Sequence, residues 1–370
     1  MKVQSGTRPL LGLRVAGMGT LLPDTVRRND WWPPDVVDRW KRDAADRNLM
    51  VRDAAAVDGP ESDGVRRTLR AMAEVAGDPF HGVKSRPVLD GPTPTVEMEA
   101  IACRRACDDA GVDLSEVGLL IQHSTQPEDP TVPQATKLHH RLGMGLDCLS
   151  ITVEAGANAF LHQLLLAAHL VSTGSVTHAL IVQSNNYTQL IPPTEQYSTW
   201  FGDSATAMVL TQCSAESGLL AWTSHTDGQY YRTYTSNNPE AASSEGAAVT
   251  VENAGLMRQM LLSIADTFAD SMTKTLAKAA LAPTDVDFYA SHQATVWFRA
   301  VTQEMMGLSE AASIDTCVDH GSLNACNIPL QLSLARDRGL LRPGSVVALA
   351  AGGAGITWTT LLLRWGALDG

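Results

Sequence analysis

Apolar residues along the chain occur in two kinds of pattern, and each predicts a different kind of element. Val117–Gln122 and Val346–Ala351 are almost continuously apolar, as is typical of parallel strands that are buried on both faces. Thr95–Ala110 instead spaces its apolar residues as one face of a helix does. Buried strands interleaved with helices predict an α/β protein.

Similar βαβ-rich patterns occur in both halves of the chain. The first half has a buried strand at 117–125 followed by an apolar helix, and the second half has a long helix at 252–278 followed by a strand at 286–295. The length suffices for two such units. We therefore expect an N-terminal half, 1–215, and a C-terminal half, 216–370.

Residues 24–80 fit this repeat least well and are interpreted as an insertion in the N-terminal half. They contain the paired indoles Trp31 and Trp32, an amphipathic stretch around Val36–Arg47, and a loop rich in Asp, Gly and Pro. Two interpretations stay open: a lid or dimer-contact helix pair, or a gate at the substrate entrance. Because indoles offer large apolar faces, Trp31 and Trp32 are candidate substrate-binding residues.

Composition narrows the class of protein. Of the 370 residues, 44 % are hydrophobic and 18 % charged, which is ordinary for a soluble enzyme. No apolar run approaches the ~18 residues that span a bilayer, and the N-terminus lacks the build of a signal peptide, so we expect a cytoplasmic protein without a membrane partner. The net charge of −12 argues against nucleic-acid binding.

The six cysteines are scattered through predicted elements, as expected for a reducing compartment. Cys103 and Cys107 share one helix face, but no second ligand pair accompanies them. They are interpreted as core residues, and no metal is predicted.

A tight turn between a strand and an apolar helix is the most distinctive local feature. A β-rich run, Cys148–Val153, meets the small residues 154–158, and an apolar helix follows from Ala159 to about Val171. Such a turn holds its apex residue, Ala157, at a helix N-terminus, where backbone N–H groups stabilise an anion or a developing oxyanion.

This turn resembles the nucleophile elbow of the thiolase-fold ketosynthases, specifically the β-ketoacyl synthase III family, whose pattern is A-C-x-G/A-F. Aligned on Phe160, the family's catalytic cysteine falls on Ala157, and Cys148 in the preceding strand cannot replace it. The resemblance covers almost the whole chain. It implies a five-layer α-β-α-β-α fold built from two similar halves, and a homodimer with the strand at 178–186 near the contact.

Two further motifs carry the rest of the catalytic constellation. The run SHQAT resembles the family's H-Q-A-N and implies that His292 is catalytic. The run DHGSLNACNIPL resembles Y-G-N-T-S-A-A-S-I-P and places Ser322 where condensing enzymes have an asparagine. Asn324, two residues on, is a candidate substrate-binding residue.

The run GGAGITW resembles G-F-G-x-G-x-T-W. The resemblance implies that the backbone of Gly353, Ala354 and Gly355 completes an oxyanion site with the N–H of Ala157. No cofactor is expected beyond an acyl thioester, carried by the phosphopantetheine of an acyl carrier protein or by coenzyme A. Members that use coenzyme A carry a Trp and an Arg where this chain has Ala76 and Phe80.

Ser322 favours one function over its alternatives. Decarboxylative condensation builds up an enolate that paired His and Asn donors stabilise, and a serine offers one proton in place of two. The leading prediction is an acyltransferase that moves an acyl group from a carrier to a hydroxyl, an amine or a second carrier in polyketide or antibiotic biosynthesis. The alternatives are a decarboxylative condensing synthase and a catalytically silent partner subunit, although the latter has no need of His292.

Ala157 has two explanations: a substitution that replaced a natural cysteine, or a protein that naturally lacks the nucleophile. We favour the first, because the oxyanion turn, His292 and the Gly-rich loop have little use without a nucleophile. In either case we expect that this chain cannot form an acyl-enzyme.

Overall fold

The protein is described by a computed structural model that covers residues 9–42, 61–91, 93–129, 131–213, 217–235 and 250–366. The strands are β1 (Leu11–Leu21), β2 (Val26–Arg28), β3 (Ser85–Pro87), β4 (Val117–Ser124), β5 (Leu149–Thr152), β6 (His178–Asn185), β7 (Ser204–Gln212), β8 (Gly218–Thr226), β9 (Tyr234–Thr235), β10 (Thr250–Val251), β11 (Phe288–Ser291), β12 (Ala312–Ser313), β13 (Val346–Gly353) and β14 (Thr357–Arg364). The helices are α1 (34–42), α2 (Asp63–Val75), α3 (Thr95–Ala110), α4 (Gln134–Leu142), α5 (Ala159–Ser172), α6 (Ala254–Lys278), α7 (Phe298–Met305), α8 (Cys317–His320) and α9 (Asn327–Asp337).

A 10-stranded sheet runs through the molecule in the order β12-β11-β13-β14-β8-β1-β7-β6-β4-β5. At its centre, β1 and β8 pair through two residues each, Leu11 with Leu219 and Gly12 with Gly218. The sheet therefore consists of two five-stranded parts that meet at this short contact. From the outer edge inward both parts have the same order, with β5-β4-β6-β7-β1 matching β12-β11-β13-β14-β8.

Three hydrophobic cores separate the layers. Met98 and Leu138, from α3 and α4, pack on the outer face of the first sheet part. Phe160 of α5 belongs to a central core with strands from both parts, and Phe268 and Phe298, from α6 and α7, cover the outer face of the second. The layers are thus α-β-α-β-α, and the predicted five-layer thiolase-like fold is confirmed.

The insertion is described only in part. β2 pairs with β3, α1 covers the start of the predicted amphipathic stretch, and α2 packs against α6. Residues 43–60 lie outside the described residues, as does the predicted boundary between the halves at 215/216. The strand expected at 286–295 is shorter, β11, because the chain leaves the sheet at His292.

Two further features bear on function. Among the described residues, no helix is long and apolar enough to cross a membrane, and no group of three or more His, Cys, Asp or Glu side chains could hold a metal ion. Cys103 and Cys107 are buried in the outer core beneath α3, where burial raises the pKa of the Cys107 thiol to about 11.

Candidate active site

The turn before α5 is the point where elements of the two halves converge. Residues Gly156–Asn158 form a single 3-10 turn that runs directly into α5. Gly156 has φ +53, a left-handed conformation that glycine adopts without strain. Ala157 occupies the middle of the turn and is 7 % exposed. The apex therefore lies inside the protein, at the N-terminus of a buried helix.

The Gly-rich loop between β13 and β14 lies directly against this turn. A methyl group added at Gly353 would lie 1.9 Å from the carbonyl oxygen of Ala155, and one added at Gly156 would lie 3.3 Å from the backbone nitrogen of Ala354. The two backbones therefore touch, and position 353 requires glycine. The Ala354 nitrogen comes next to the turn, as an oxyanion site requires, whereas a methyl group at Gly355 would meet nothing within 4 Å.

Asn158 joins the same two segments through its side chain. Its Nδ2 lies 3.0 Å from Thr357 Oγ1 and from Thr359 Oγ1, both on β14, and 3.1 Å from His162 Nε2 one turn along α5. The amide is fully buried, and hydrogen bonds shielded from water are electrostatically stronger. Asn158 thus ties the turn to the hairpin that carries the Gly-rich loop.

His292 directly follows β11, at the carboxyl end of that strand. Its backbone N–H donates to the Ala350 carbonyl at 3.0 Å, and its ring forms a hydrogen bond with the backbone of Gly352. Burial lowers the pKa of the imidazole from 6.5 to about 4, against the opposing effect of that bond. His292 is therefore neutral at pH 7, with one donor and one acceptor nitrogen.

Ser322 and Asn324 lie in the segment before α9, which packs against the Gly156–Asn158 turn. Ser322 is 1 % exposed, and its Oγ has no hydrogen-bond partner within the described part of the chain. Asn324 has φ +54, and its side chain bonds the hydroxyl of Tyr187. Asn324 Oδ1 also lacks a described partner. Buried polar atoms of this kind are normally satisfied by water or a ligand.

The turn at Ala157 thus contacts both the segment that begins at Asn324 and the Gly-rich loop, and His292 bonds Gly352 in the strand that leads into that loop. This neighbourhood contains backbone N–H groups of the turn and the loop, a neutral imidazole and a buried serine hydroxyl. Such a set can stabilise an oxyanion and accept a proton. The missing component is a nucleophile, because Ala157 offers only a methyl group.

The paired indoles Trp31 and Trp32 lie in the insertion, between β2 and α1. Trp32 is 3 % exposed and packs on Trp40 and Phe80, with ring centroids 6.2 and 5.6 Å away. Trp31 is 48 % exposed, and the guanidinium of Arg27 lies 3.8 Å above its ring. The interpretation of Trp32 as a substrate-lining residue is corrected, because its faces are covered by other side chains. Trp31 also lies in this part of the insertion.

A cavity of about 140 Å³ opens beside the Gly-rich hairpin and is lined by Asp227, Tyr230, Met260, Ser263, Ile264, Thr267, Phe268, Ile356 and Trp358. Phe268, which lines the cavity, also lies near the site, because its Cζ would lie 3.5 Å from a methyl group on Gly352, whose backbone bonds His292. A groove of about 490 Å³ shares Ser263 and Thr267 with the cavity and includes Val65 of α2. The insertion therefore contributes to the wall of this groove through α2.

Sequence reasoning missed several polar groups at the site. The family pattern leaves the position of Asn158 unspecified, and His162 is recognisable only as its neighbour at i+4 on a helix. Glu154, three residues before Ala157, lies 3.6 Å from the Nδ1 of His123. Burial lowers the pKa of His123 to about 4, whereas the Glu154 side chain is largely exposed. The position of Glu154 in the turn was the one available signal.

Solved structures show which known fold the chain has. 3-Oxoacyl-[acyl-carrier-protein] synthase III from Aquifex aeolicus VF5 superimposes with a TM-score of 0.75 at 20 % identity, over 96 % of this chain and 100 % of that chain. The enzyme from Pseudomonas aeruginosa PAO1 gives 0.74 at 23 % identity, over 97 % and 100 %. OleA from Xanthomonas campestris gives 0.75 at 17 %, over 98 % and 100 %. The chain therefore has the fold of these thiolase-fold proteins.

Sequence similarity then identifies the family. The family model described as 3-oxoacyl-[acyl-carrier-protein (ACP)] synthase III matches residues 151–228, and the model of its C-terminal part matches 276–365. Beta-ketoacyl-[acyl-carrier-protein] synthase III of Cereibacter sphaeroides is 30 % identical over 278 residues, covering 73 % of this chain and 84 % of that protein. The Rhizorhabdus wittichii synthase is 28 % identical over 287 residues, 77 % and 88 % of the two chains. The protein belongs to the β-ketoacyl-[acyl-carrier-protein] synthase III family of enzymes.

Proposed function

We propose that the protein is an acyltransferase of natural-product biosynthesis whose acyl-accepting cysteine position is occupied by Ala157. In the form with a cysteine there, the thiolate attacks the carbonyl of an acyl thioester and expels the carrier thiol. An acceptor oxygen or nitrogen then attacks the enzyme thioester, gives its proton to His292 and releases the enzyme thiol. The donor is an acyl carrier protein or acyl-CoA, and the acceptor is a small molecule or a second carrier.

Ser322 is the observation that carries this proposal. Its Oγ is buried without a described partner, and in this proposal it donates one hydrogen bond to a reacting oxygen. In condensing enzymes the enolate oxygen accepts hydrogen bonds from two side-chain donors, and losing one donor lowers the rate by ~10²–10³. Acyl transfer forms tetrahedral intermediates, for which the backbone N–H groups near Ala157 and Ala354 supply the donors.

The cavity and the groove beside α6 are the places where we propose that the two substrates bind. The cavity has aromatic walls at Phe268 and Trp358, and in this proposal the thioester arm of the donor lies along them. The outer groove is wider and presents Arg258, Gln259 and Asp266, so an acceptor with polar groups can approach there. The role of the insertion in this proposal is to form one wall of the groove through Val65.

A decarboxylative condensing enzyme is the second candidate, because the relatives bear the name beta-ketoacyl synthase. A silent partner subunit is the third, and Ala157 favours it. Against a silent subunit stands His292, which is held neutral in contact with the Gly-rich strand.

We also propose a homodimer. β5 is the edge strand of the first sheet part, and an unpaired edge is a template for pairing with a second chain. Leu149 on β5 is 53 % exposed and nearby Leu146 is 96 % exposed, so this edge also presents apolar surface. The strand expected near the contact, β6, lies instead between β4 and β7.

Product analysis of the Ala157→Cys variant tests the function. The enzyme is loaded with a simple acyl thioester and offered either a malonyl carrier or a set of alcohols and amines. We expect esters or amides and no β-ketoacyl product, and we expect Ser322→Asn in the same background to increase any condensation. A β-ketoacyl thioester as the major product would assign the protein to the condensing enzymes.

A further inference from the structure

The insertion is tied to one loop of the protein body by its buried indoles. Trp32 Nε1 donates to the carbonyl of Pro193 and Trp40 Nε1 donates to the carbonyl of Thr194, each at 3.1 Å. Arg39 adds a bond to the same Thr194 oxygen at 3.1 Å. Both indoles are 3 % exposed. Two consecutive carbonyls of the loop therefore accept hydrogen bonds from buried indoles.

A second set of contacts holds the other end of this loop. Gln196 Nε2 donates to the carbonyl of Pro79 at 3.1 Å, and the rings of His81 and Trp200 meet edge to face with centroids 4.9 Å apart. Loop 193–200 is thus fixed along its length by residues at the start and the end of the insertion.

The end of this loop positions Ser322. The Ser322 N–H donates to the carbonyl of Trp200 at 2.6 Å, and the Ser322 carbonyl accepts from the N–H of Gly202 at 3.3 Å. The backbones of residues 200–202 and 320–322 are in close contact. A methyl group at Gly202 would lie 2.2 Å from the His320 carbonyl oxygen, and one at Gly321 would lie 2.8 Å from the Trp200 carbonyl oxygen. A displacement of Trp200 is therefore passed directly to Ser322.

We propose that Trp32 and Trp40 are positioning residues for Ser322, acting through loop 193–200. We call Trp32, Trp40 and the loop 193–200 the indole brace. The inference rests on the proposed function for what Ser322 does, but the mechanical link does not depend on it. The brace gives the insertion a role distinct from lining the groove, because it fixes the position of the Ser322 backbone and hence of its hydroxyl.

The indole N–H groups of Trp32 and Trp40, rather than the packing of their rings, connect the insertion to loop 193–200. Replacing Trp32 by phenylalanine keeps an aromatic ring against Trp40 and Phe80 but removes the N–H that bonds the Pro193 carbonyl. Trp31 provides a matched control, because no hydrogen bond joins it to the described loop and its ring is half exposed. A general loss of aromatic packing would affect the Trp31 and Trp32 variants in a graded way, whereas loss of the brace is specific to Trp32 and Trp40.

Hydrogen exchange on the otherwise unaltered chain tests the mechanical link. We expect Trp32→Phe and, separately, Trp40→Phe to lose protection in the peptides that span 193–202 and the Ser322 amide, with unchanged exchange in β14. Trp31→Phe should leave all of these peptides unchanged. If both brace variants exchange like Trp31→Phe at Ser322, the proposal is overturned. Each indole bonds a different carbonyl, so one variant suffices if the other does not fold.

A double-mutant cycle in the Ala157→Cys background tests the consequence for turnover. We expect Trp32→Phe to lower kcat for transfer by about tenfold, within the ~10² that a remote misplacement can cost, with little change in KM. In combination with Ser322→Ala it should cause no further loss, because both changes act on the same hydroxyl. Additive losses would contradict the link to Ser322. Absence of any acylation would contradict the proposed function alone, since the exchange result stands independently.

Discussion

The protonation state of His292 is the property of the site that a titration can test most sharply. Burial lowers its pKa from 6.5 to about 4, a difference of about 3 kcal/mol between its two protonation states. At pH 5 the neutral fraction is then about 0.9, whereas an imidazole with the ordinary pKa would be about 0.03 neutral. His292 should therefore remain a proton acceptor at pH 5.

Two-dimensional NMR of the histidine ring signals in the unaltered chain measures this directly, with His292→Gln used to assign the resonance. Turnover of preloaded Ala157→Cys enzyme should accordingly be nearly as fast at pH 5 as at pH 7, instead of falling by more than about tenfold. Because the unfolded chain binds this proton more readily, His292 also contributes stability above pH 6.5 that is lost as the pH falls through 4.

A ring signal that titrates between pH 6 and 7 would refute the reasoning, because it would mean that His292 is solvated. A normal pKa together with an acid limb in the transfer rate would further show that the site is open to water in the unliganded protein. His123, whose pKa burial also lowers to about 4, is an internal reference for a buried imidazole in the same spectrum.

Three further predictions concern stability and geometry. Burial raises the pKa of Glu99 from 4.5 to about 7, so ionisation of Glu99 lowers the free energy of unfolding as the pH rises from 4.5 to 7. In urea unfolding, Glu99→Gln should therefore gain up to about 3 kcal/mol at pH 8 and nothing at pH 4. Gly353→Ala would place a methyl group 1.9 Å from the Ala155 oxygen and should cost ~1–3 kcal/mol, whereas Gly145→Ala, with nothing within 4 Å, should be neutral by melting temperature. Asn158→Ala should cost about 1–3 kcal/mol of unfolding free energy and slow acylation of the Ala157→Cys variant; unchanged stability would remove its role as a tie.

The α/β class could be predicted from local signals in the sequence, whereas the five-layer arrangement was implied by the resemblance to the synthase III family. The continuous apolar runs of β4 and β13 and the helical spacing of α3 reflect burial in a layered structure. The turn at Ala157 and the strand end at His292 were placed by motifs whose spacing is fixed by a strand followed by a helix or loop. β11 ends at Ser291, earlier than the apolar run suggests, and the His292 N–H makes one more bond to the neighbouring strand β13.

The side-chain hydrogen bonds between these elements could not be predicted from the sequence. Trp32 bonds Pro193 across 161 positions and Asn158 bonds Thr357 across 199, and no periodicity encodes pairs so far apart. Trp32 was interpreted as a substrate contact because an indole beside prolines has the same sequence signature whether its faces are covered or open. Only the packing against Trp40 separates the two.

The central claim is that position 157 is where the acyl group is held. Intact-protein mass spectrometry of the unaltered chain and of Ala157→Cys, each mixed with acyl carrier protein or acyl-CoA donors, tests it most directly. We predict no adduct on the unaltered chain, one acyl group on the variant mapped to position 157, and loss of that group when an alcohol or amine acceptor is added. A stable adduct on the unaltered chain, at Cys148 or any other residue, or an Ala157→Cys variant that cannot be acylated, would contradict the account.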